Sequence, residues 1–139
     1  MSECVFCDIV AHTADSSVVY EDEVALAFMD LFPIHPGHTL VVPKVHTPDL
    51  AHCRLDLAGH LFKLCALLGP AIVEVTQGAG FNIWTANGEA AGQEVFHLHL
   101  HVLPRHSNDT FGLRFPKGYP TAAPRPELEA MAAKLREMV

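Results

Sequence analysis

Apolar and polar residues alternate without a break from Phe96 to Val102. Period two marks a half-buried strand. On that reading Phe96, Leu98, Leu100 and Val102 face a core, and His97, His99 and His101 face the other side. Same-face neighbours stand roughly 6.5–7 Å apart along a strand. The three imidazoles then form a row that one metal ion or one phosphate group can span.

The same patterning places the other elements. Residues 17–21 read as a strand, 21–23 as a polar turn and 24–29 as the second strand of a hairpin. The loop from Leu31 to Gly37 is punctuated by Pro33, Pro36 and Gly37. Residues 38–44 read as a third strand, where Pro43 marks an edge strand or a strand terminus. Leu57, Ala58, Leu61, Cys65, Leu68, Ile72 and Val75 follow the helical period. Gly69-Pro70 interrupts them, which predicts one long kinked helix ending near Gly78 or Gly80. Its apolar content on more than one face predicts burial by a second copy of the chain. Residues 81–86 alternate again as a strand. Phe6 and Ile9 suit a short helical turn. Five of the ten prolines fall between residues 104 and 126, which predicts an extended segment. Pro126, Glu127 and Glu129 then open a terminal helix. The expected fold is one α+β domain over residues 1–139, with a core of 1–105 and a tail of 106–139. It holds a five-stranded antiparallel sheet, a long helix on one face and a C-terminal helix.

At 139 residues, half of them apolar, the chain can build a core without disulfides. A formal charge of −7 argues against a nucleic-acid polymer as partner but permits a single nucleotide held by backbone amides and histidines. No secretory start and no run of roughly 20 apolar residues is read, so the expectation is a cytoplasmic protein without a membrane span. Cys53 and Cys65 read as core positions. Cys4-x-x-Cys7 is a redox motif after a strand or half of a zinc site; nothing precedes it, which favours zinc if two further ligands exist. The histidine row leaves two readings open: three ligands for a catalytic metal, or a nucleophile with its neighbours arranging it. The loop 87–92, bounded by glycine, and Gln93 lie where backbone amides can hold an anion.

The segment His97-Leu98-His99-Leu100-His101-Val102-Leu103 resembles the motif of the histidine-triad (HIT) nucleotide hydrolases and transferases, His-φ-His-φ-His-φ-φ with φ apolar. The likeness extends through Gly92-Gln93 and Asn87, residues 36–46, Phe28 and Asp30, and Cys4-x-x-Cys7, as in the bacterial type. It implies a HIT-like fold that dimerises through the long helix. It also implies a purine nucleotide against the histidine strand, and cleavage at the α-phosphorus of a nucleoside 5′-phosphoryl compound. By the resemblance His99 is the nucleophile. A neutral imidazole attacks phosphorus competently near pH 7, and a bond from its other nitrogen to the His97 carbonyl would hold the tautomer. The resemblance makes His101 and His38 the histidines that line the phosphate. Asn87, Gly92, Gln93 and Val95 become positions around the phosphate and leaving group, and Asp30 the ribose acceptor. Phe6, Ile9, Phe28, Leu31 and Leu40 surround the base. Cys4, Cys7, His46 and His97 become a closed structural zinc set.

The chain departs from the pattern at Glu94, where many members carry serine or threonine. A carboxylate there repels phosphate, so the leaving-group preference is expected to differ. The leading expectation is a purine nucleoside phosphoramidase that works through a nucleotidyl-histidine intermediate. The alternatives are a dinucleoside polyphosphate hydrolase, a metallohydrolase, and a nucleotide-binding protein with little turnover.

Overall fold

Two apolar layers sandwich one sheet, and the chain's alternation explains both. The computed structural model describes residues 3–139. Helix α1 spans Val5–Val10, and strands β1 (Val18–Glu21), β2 (Ala25–Met29) and β3 (Thr39–Pro43) follow. Helix α2 (Leu55–Thr76), β4 (Gly80–Trp84), β5 (Leu100–Arg105) and α3 (Arg125–Met138) complete the regular elements. The five strands form one antiparallel sheet in the order β1-β2-β3-β5-β4. By contacts the chain forms two compact units, residues 1–109 and 110–139. The second unit contains α3, which opens with Pro126 in its first turn and Glu127 at its positive end, as the sequence predicts.

Ala25 and Ala27 of β2, Val41 of β3 and Leu100 and Val102 of β5 point to one face, where they meet Leu61, Leu64, Cys65 and Ile72 of α2. The intervening residues Leu26, Phe28, Leu40 and Val42 point to the other face, where Phe6 and Ile9 of α1 cover them. Both faces of β2 and β3 are therefore buried, which explains their nearly unbroken apolar sequence.

Several expectations need correction. Residues 96–99 do not belong to the histidine strand, and Phe96 is about half exposed, at 52%. The Leu98 N–H bonds the Thr47 carbonyl in a loop (2.7 Å), and β3 takes up pairing only at Leu100, opposite Val41. The histidine side is covered too: His97 and His99 are buried, with Phe6 packed edge-on to both rings. Strand β3 is not an edge. Pro43 is its last residue, past the point where β3 pairs with β5, so its missing N–H costs no ladder bond there. Helix α2 continues through Pro70, and its terminator is Gln77, not a glycine. Gln77 takes the left-handed conformation (φ 56°), and the N–H groups of Gln77 and Gly78 close on the carbonyls of Glu74 and Val73. By length and composition alone α2 is also apolar enough to cross a membrane, a property that core helices share. Here its buried stripe packs on the sheet, while Leu55, Phe62, Leu67 and Val75 remain exposed.

Candidate functional site

His101 sits in the middle of the sheet. Cross-strand pairing puts it opposite Leu40 of β3 and Trp84 of β4. Trp84 stacks flat on the His101 ring (centroids 4.3 Å apart, 3° between planes). His38 enters β3 beside it, and its Nε2 lies 2.9 Å from His101 Nδ1. Together with His99 these side chains floor a cleft of about 1150 Å³. Phe6 and Ile9 of α1, Phe28 and Leu40 of the sheet, the loop from Asp30 to Gly37, and Gly92, Glu94 and Val95 wall it.

Hydrogen bonds assign the protons. His99 Nδ1 lies 2.8 Å from the His97 carbonyl. A carbonyl only accepts, so Nδ1 carries the proton and Nε2 is left with a lone pair. The carbonyl of His99 is held in turn by the Thr85 hydroxyl (2.9 Å). Phe6 packs edge-on to the His99 ring at 5.1 Å, which keeps water off one side. The Ile34 N–H donates to His38 Nδ1 (3.2 Å). His38 must then donate from Nε2 to His101 Nδ1, and His101 keeps its Nε2–H for the cleft. Burial, with His99 and His38 adding to it, pushes His101 down to about 3. Burial also lowers His38, against the pull of the Asp30 carboxylate 3.6 Å away. Both rings are therefore neutral near pH 7.

The third triad histidine turns away from this cleft. His97 Nε2 donates to the Pro43 carbonyl (2.8 Å), so its Nδ1 lone pair faces Cys4 and Cys7. Sulfur to nitrogen distances are 3.4 Å from Cys4 to His97, 3.5 Å from Cys7 to His97 and 3.3 Å from Cys7 to His46. All four ligand atoms lie within 4.8 Å of one another. A tetrahedral zinc with Zn–S near 2.3 Å and Zn–N near 2.0–2.1 Å has an S···N edge of about 3.6 Å. The cluster could hold that ion with little movement, and the Pro43 carbonyl supplies the outer bond that fixes the His97 tautomer. Burial and the neighbouring Cys4 raise the Cys7 thiol to about 11, so a metal arriving at neutral pH must displace its proton.

The structure brings Phe6, Ile9, Phe28, Asp30, Leu31, Leu40, Gly92, Val95, His38, His99 and His101 to one cleft. Cys4, Cys7, His46 and His97 gather beside it. Asn87 and Gln93 do not line the cleft. Asn87 Oδ1 accepts from the Leu50 N–H. The Gln93 amide is used up on the main chain: Oε1 accepts from Gly88, and Nε2 donates to the carbonyls of Pro48 and Val95. Gln93 thus shapes the 87–92 loop from behind, because a buried amide must satisfy its bonds where it sits. No single ligand spans all three triad histidines, since His97 joins the cysteines and the other two the cleft. Trp84 and Thr85 were missed. Their signal was the alternation of residues 81–86, which names a strand but not its neighbour.

The family model for the HIT domain matches residues 11–108. A solved HIT family protein from Bacillus anthracis is 38% identical, with a TM-score of 0.90, over 99% of this chain and 98% of its own. A zinc-bound histidine triad family protein from Mycobacterium smegmatis is 36% identical, with a TM-score of 0.76, over 99% of this chain and 98% of its own. The adenylylsulfatase HINT3 of Arabidopsis thaliana is 36% identical over 108 residues, which is 78% of this chain and 55% of that protein.

Proposed function

The chain belongs to the HIT domain family, and from that premise we propose that it hydrolyses purine nucleoside 5′-phosphoramidates at the α-phosphorus. The observation that carries this reading is the bond from His99 Nδ1 to the His97 carbonyl, which leaves an unprotonated Nε2 in the cleft. That nitrogen attacks phosphorus, the P–N bond breaks, and the amine leaves with a proton taken from solvent, which the attacking water replaces in the next step. Water then attacks the nucleotidyl-imidazole, which releases the nucleoside monophosphate and restores His99. His101 Nε2–H, directed by His38, donates to the phosphoryl oxygens as charge builds on them. Asp30 accepts from the ribose hydroxyls, and Phe6, Ile9, Phe28, Leu31 and Leu40 enclose the base. Gly92 and Val95 border the phosphate end, with Gln93 and Asn87 acting from behind the loop. The name of the Arabidopsis relative supports adenylyl chemistry in the family.

Cys4, Cys7, His46 and His97 would hold structural zinc, a reading supported by the S···N distances and by the zinc-bound relative. When bound, the ion would supply a cross-link between the start of α1 and the loops that follow β3 and precede β5, rather than an open coordination position. The exposed apolar residues Leu55, Phe62, Leu67 and Val75 of α2 support a homodimer. The decisive assay is nucleoside monophosphate release from adenosine 5′-phosphoramidate, beside a diadenosine polyphosphate. Turnover of the first alone supports the reading, and preference for the second replaces it with the polyphosphate hydrolase. Nucleotide binding with no product from either would overturn the catalytic assignment.

A further inference from the structure

The chain of donors through His38 to His101 can run in either direction, and the surroundings of His38 contain both options. If Ile34 donates to Nδ1, His38 passes its Nε2–H to His101, and His101 keeps a donor for the cleft. If Nδ1 carries the proton instead, it points toward the Asp30 carboxylate 3.6 Å away. His38 Nε2 must then accept from His101 Nδ1–H, and His101 faces the cleft with a lone pair. A lone pair toward a phosphoryl oxygen is repulsive where a donor is needed. The position of one backbone N–H, that of Ile34, separates these states.

The loop that carries Ile34 is fastened at several points. The Asp30 N–H bonds the His38 carbonyl (2.9 Å) and the His38 N–H bonds the His35 carbonyl (3.1 Å). The Phe32 N–H bonds Asp30 Oδ1 (2.9 Å). These bonds close the loop on itself but do not tie its middle to the sheet. Leu31 and Phe32 are more than four-fifths exposed, at 82% and 83%. On the sheet side, His35 Nε2 lies 3.2 Å from Asp109 Oδ2, within ion-pair reach but not aligned as a hydrogen bond, and its ring packs edge-on to His106. Asp109 is a rigid partner. Its side chain is only 7% exposed, Arg105 grips both its oxygens (2.9 and 2.5 Å), and the His106 N–H adds a third bond (2.9 Å). Arg105 is the last residue of β5, the strand that carries His101, and it also holds Asn82 of β4 (2.7 Å).

We propose that His35, seated against the Arg105-held carboxylate of Asp109 and the ring of His106, is a positioning residue that fixes the direction of the His38–His101 hydrogen-bond chain. This seat references the Ile34 N–H to the strand that carries His101, so the loop and the triad keep one geometry. His35 touches neither substrate nor reacting atoms. Its catalytic consequence rests on the function proposed above, whereas its structural consequence does not.

The test therefore begins without substrate. Protein labelled with ¹⁵N-histidine is compared as wild type, His35→Ala, His35→Gln and Asp109→Asn, using two-bond ¹H–¹⁵N spectra that distinguish Nδ1–H from Nε2–H tautomers. Wild type is expected to show His38 and His101 both as Nε2–H. His35→Ala is expected to move a measurable fraction of both rings to Nδ1–H, while His99 keeps its Nδ1–H signature. His35→Gln keeps a polar group of similar reach beside Asp109 and is expected to restore the wild-type pattern. In turnover of adenosine 5′-phosphoramidate, His35→Ala should lower kcat by about tenfold to a hundredfold, since it degrades one donor to the reacting phosphate. Its Kd for AMP should stay within about threefold. Unchanged tautomers in both folded His35→Ala and folded Asp109→Asn would overturn the proposal, whatever the activity. Shifted tautomers in an enzyme with no phosphoramidate turnover would sustain the positioning role and sink the functional reading instead.

Discussion

Removing a metal bound at Cys4, Cys7, His46 and His97 is expected to release α1 before it disturbs His99. Helix α1 has six residues, and its buried anchors are Phe6 and Ile9. Burying two such side chains is worth about 3–6 kcal/mol. Ordering six backbone residues costs about 6–12 kcal/mol, and a helix this short has little stability of its own. Apolar packing alone therefore falls short by several kcal/mol. A bound zinc, worth about 10–16 kcal/mol in small peptides, covers that gap with room to spare. Cys7→Ser, or prolonged chelation followed by a metal assay, should raise amide exchange across residues 4–11 by a hundredfold or more, while β3 and β5 stay protected. Phe6 and Ile9 form one wall of the cleft, so the KM for a nucleotide substrate should rise. His99 keeps its bond to the His97 carbonyl, so kcat at saturation should fall far less. Verified metal-free protein whose residues 4–11 exchange as slowly as before would refute the energetic reasoning. A metal-free enzyme with normal KM and abolished kcat would instead make the ion catalytic.

His99→Ala should abolish turnover by several orders of magnitude while AMP still binds in an equilibrium titration; appreciable residual hydrolysis would remove His99 as the nucleophile. Acid should weaken the fold through the buried rings: His38 and His101 have lowered folded pKa values, the latter about 3. Unfolded histidines take up protons below about 6.5, so stability is full above that pH and is lost as pH falls toward 3, at no more than about 1.4 kcal/mol per unit per ring and less where solvent screens. Urea midpoints from pH 7 to 5 should drop in wild type and drop less steeply in His101→Gln; parallel slopes would contradict this. Glu94→Ser removes a carboxylate from the cleft wall, so it should raise kcat/KM several-fold for a substrate with an anionic leaving group relative to one with a neutral amine. An unchanged ratio would show that Glu94 does not sense the leaving group.

The sheet was legible because its chemistry is local. Apolar runs in residues 24–29 and 39–43 and alternation in residues 81–86 reflect side chains that leave a strand on two faces, and each pattern yielded a strand within a residue or two. Register and neighbours are not local. Nothing in residues 96–99 says that Leu98 bonds the Thr47 carbonyl instead of a strand, so the strand was expected four residues too early. The order β3-β5-β4, which sets Trp84 against His101, depends on the path of α2 between β3 and β4. The Gln77 terminator was hidden for a different reason: the left-handed position favours glycine by only about 1–2 kcal/mol, which tertiary packing can overrule.

The candidate site was legible as a set of residue types and obscure as a division of labour. Alternation alone treats His97, His99 and His101 as equivalent, and their bonds separate them. The Pro43 carbonyl takes the Nε2 proton of His97 and leaves Nδ1 for the cysteines. The His97 carbonyl takes the Nδ1 proton of His99 and leaves Nε2 for the cleft. His38 takes the lone pair of His101 Nδ1 and leaves an Nε2 donor. One residue type at period two thus presents a lone pair to two cysteines, a lone pair to the cleft and an N–H donor to the cleft. The difference lies in which nitrogen each ring spends on its neighbour. Two of the three partners are backbone carbonyls, which every residue carries, so the sequence offers no side-chain pattern from which the tautomers could be read. The third is His38, whose own proton is set by the Ile34 N–H, another group common to almost every residue. The chemistry of the triad is therefore written in main-chain geometry, and a substitution that shifts a nearby loop can change a histidine's role without touching a histidine.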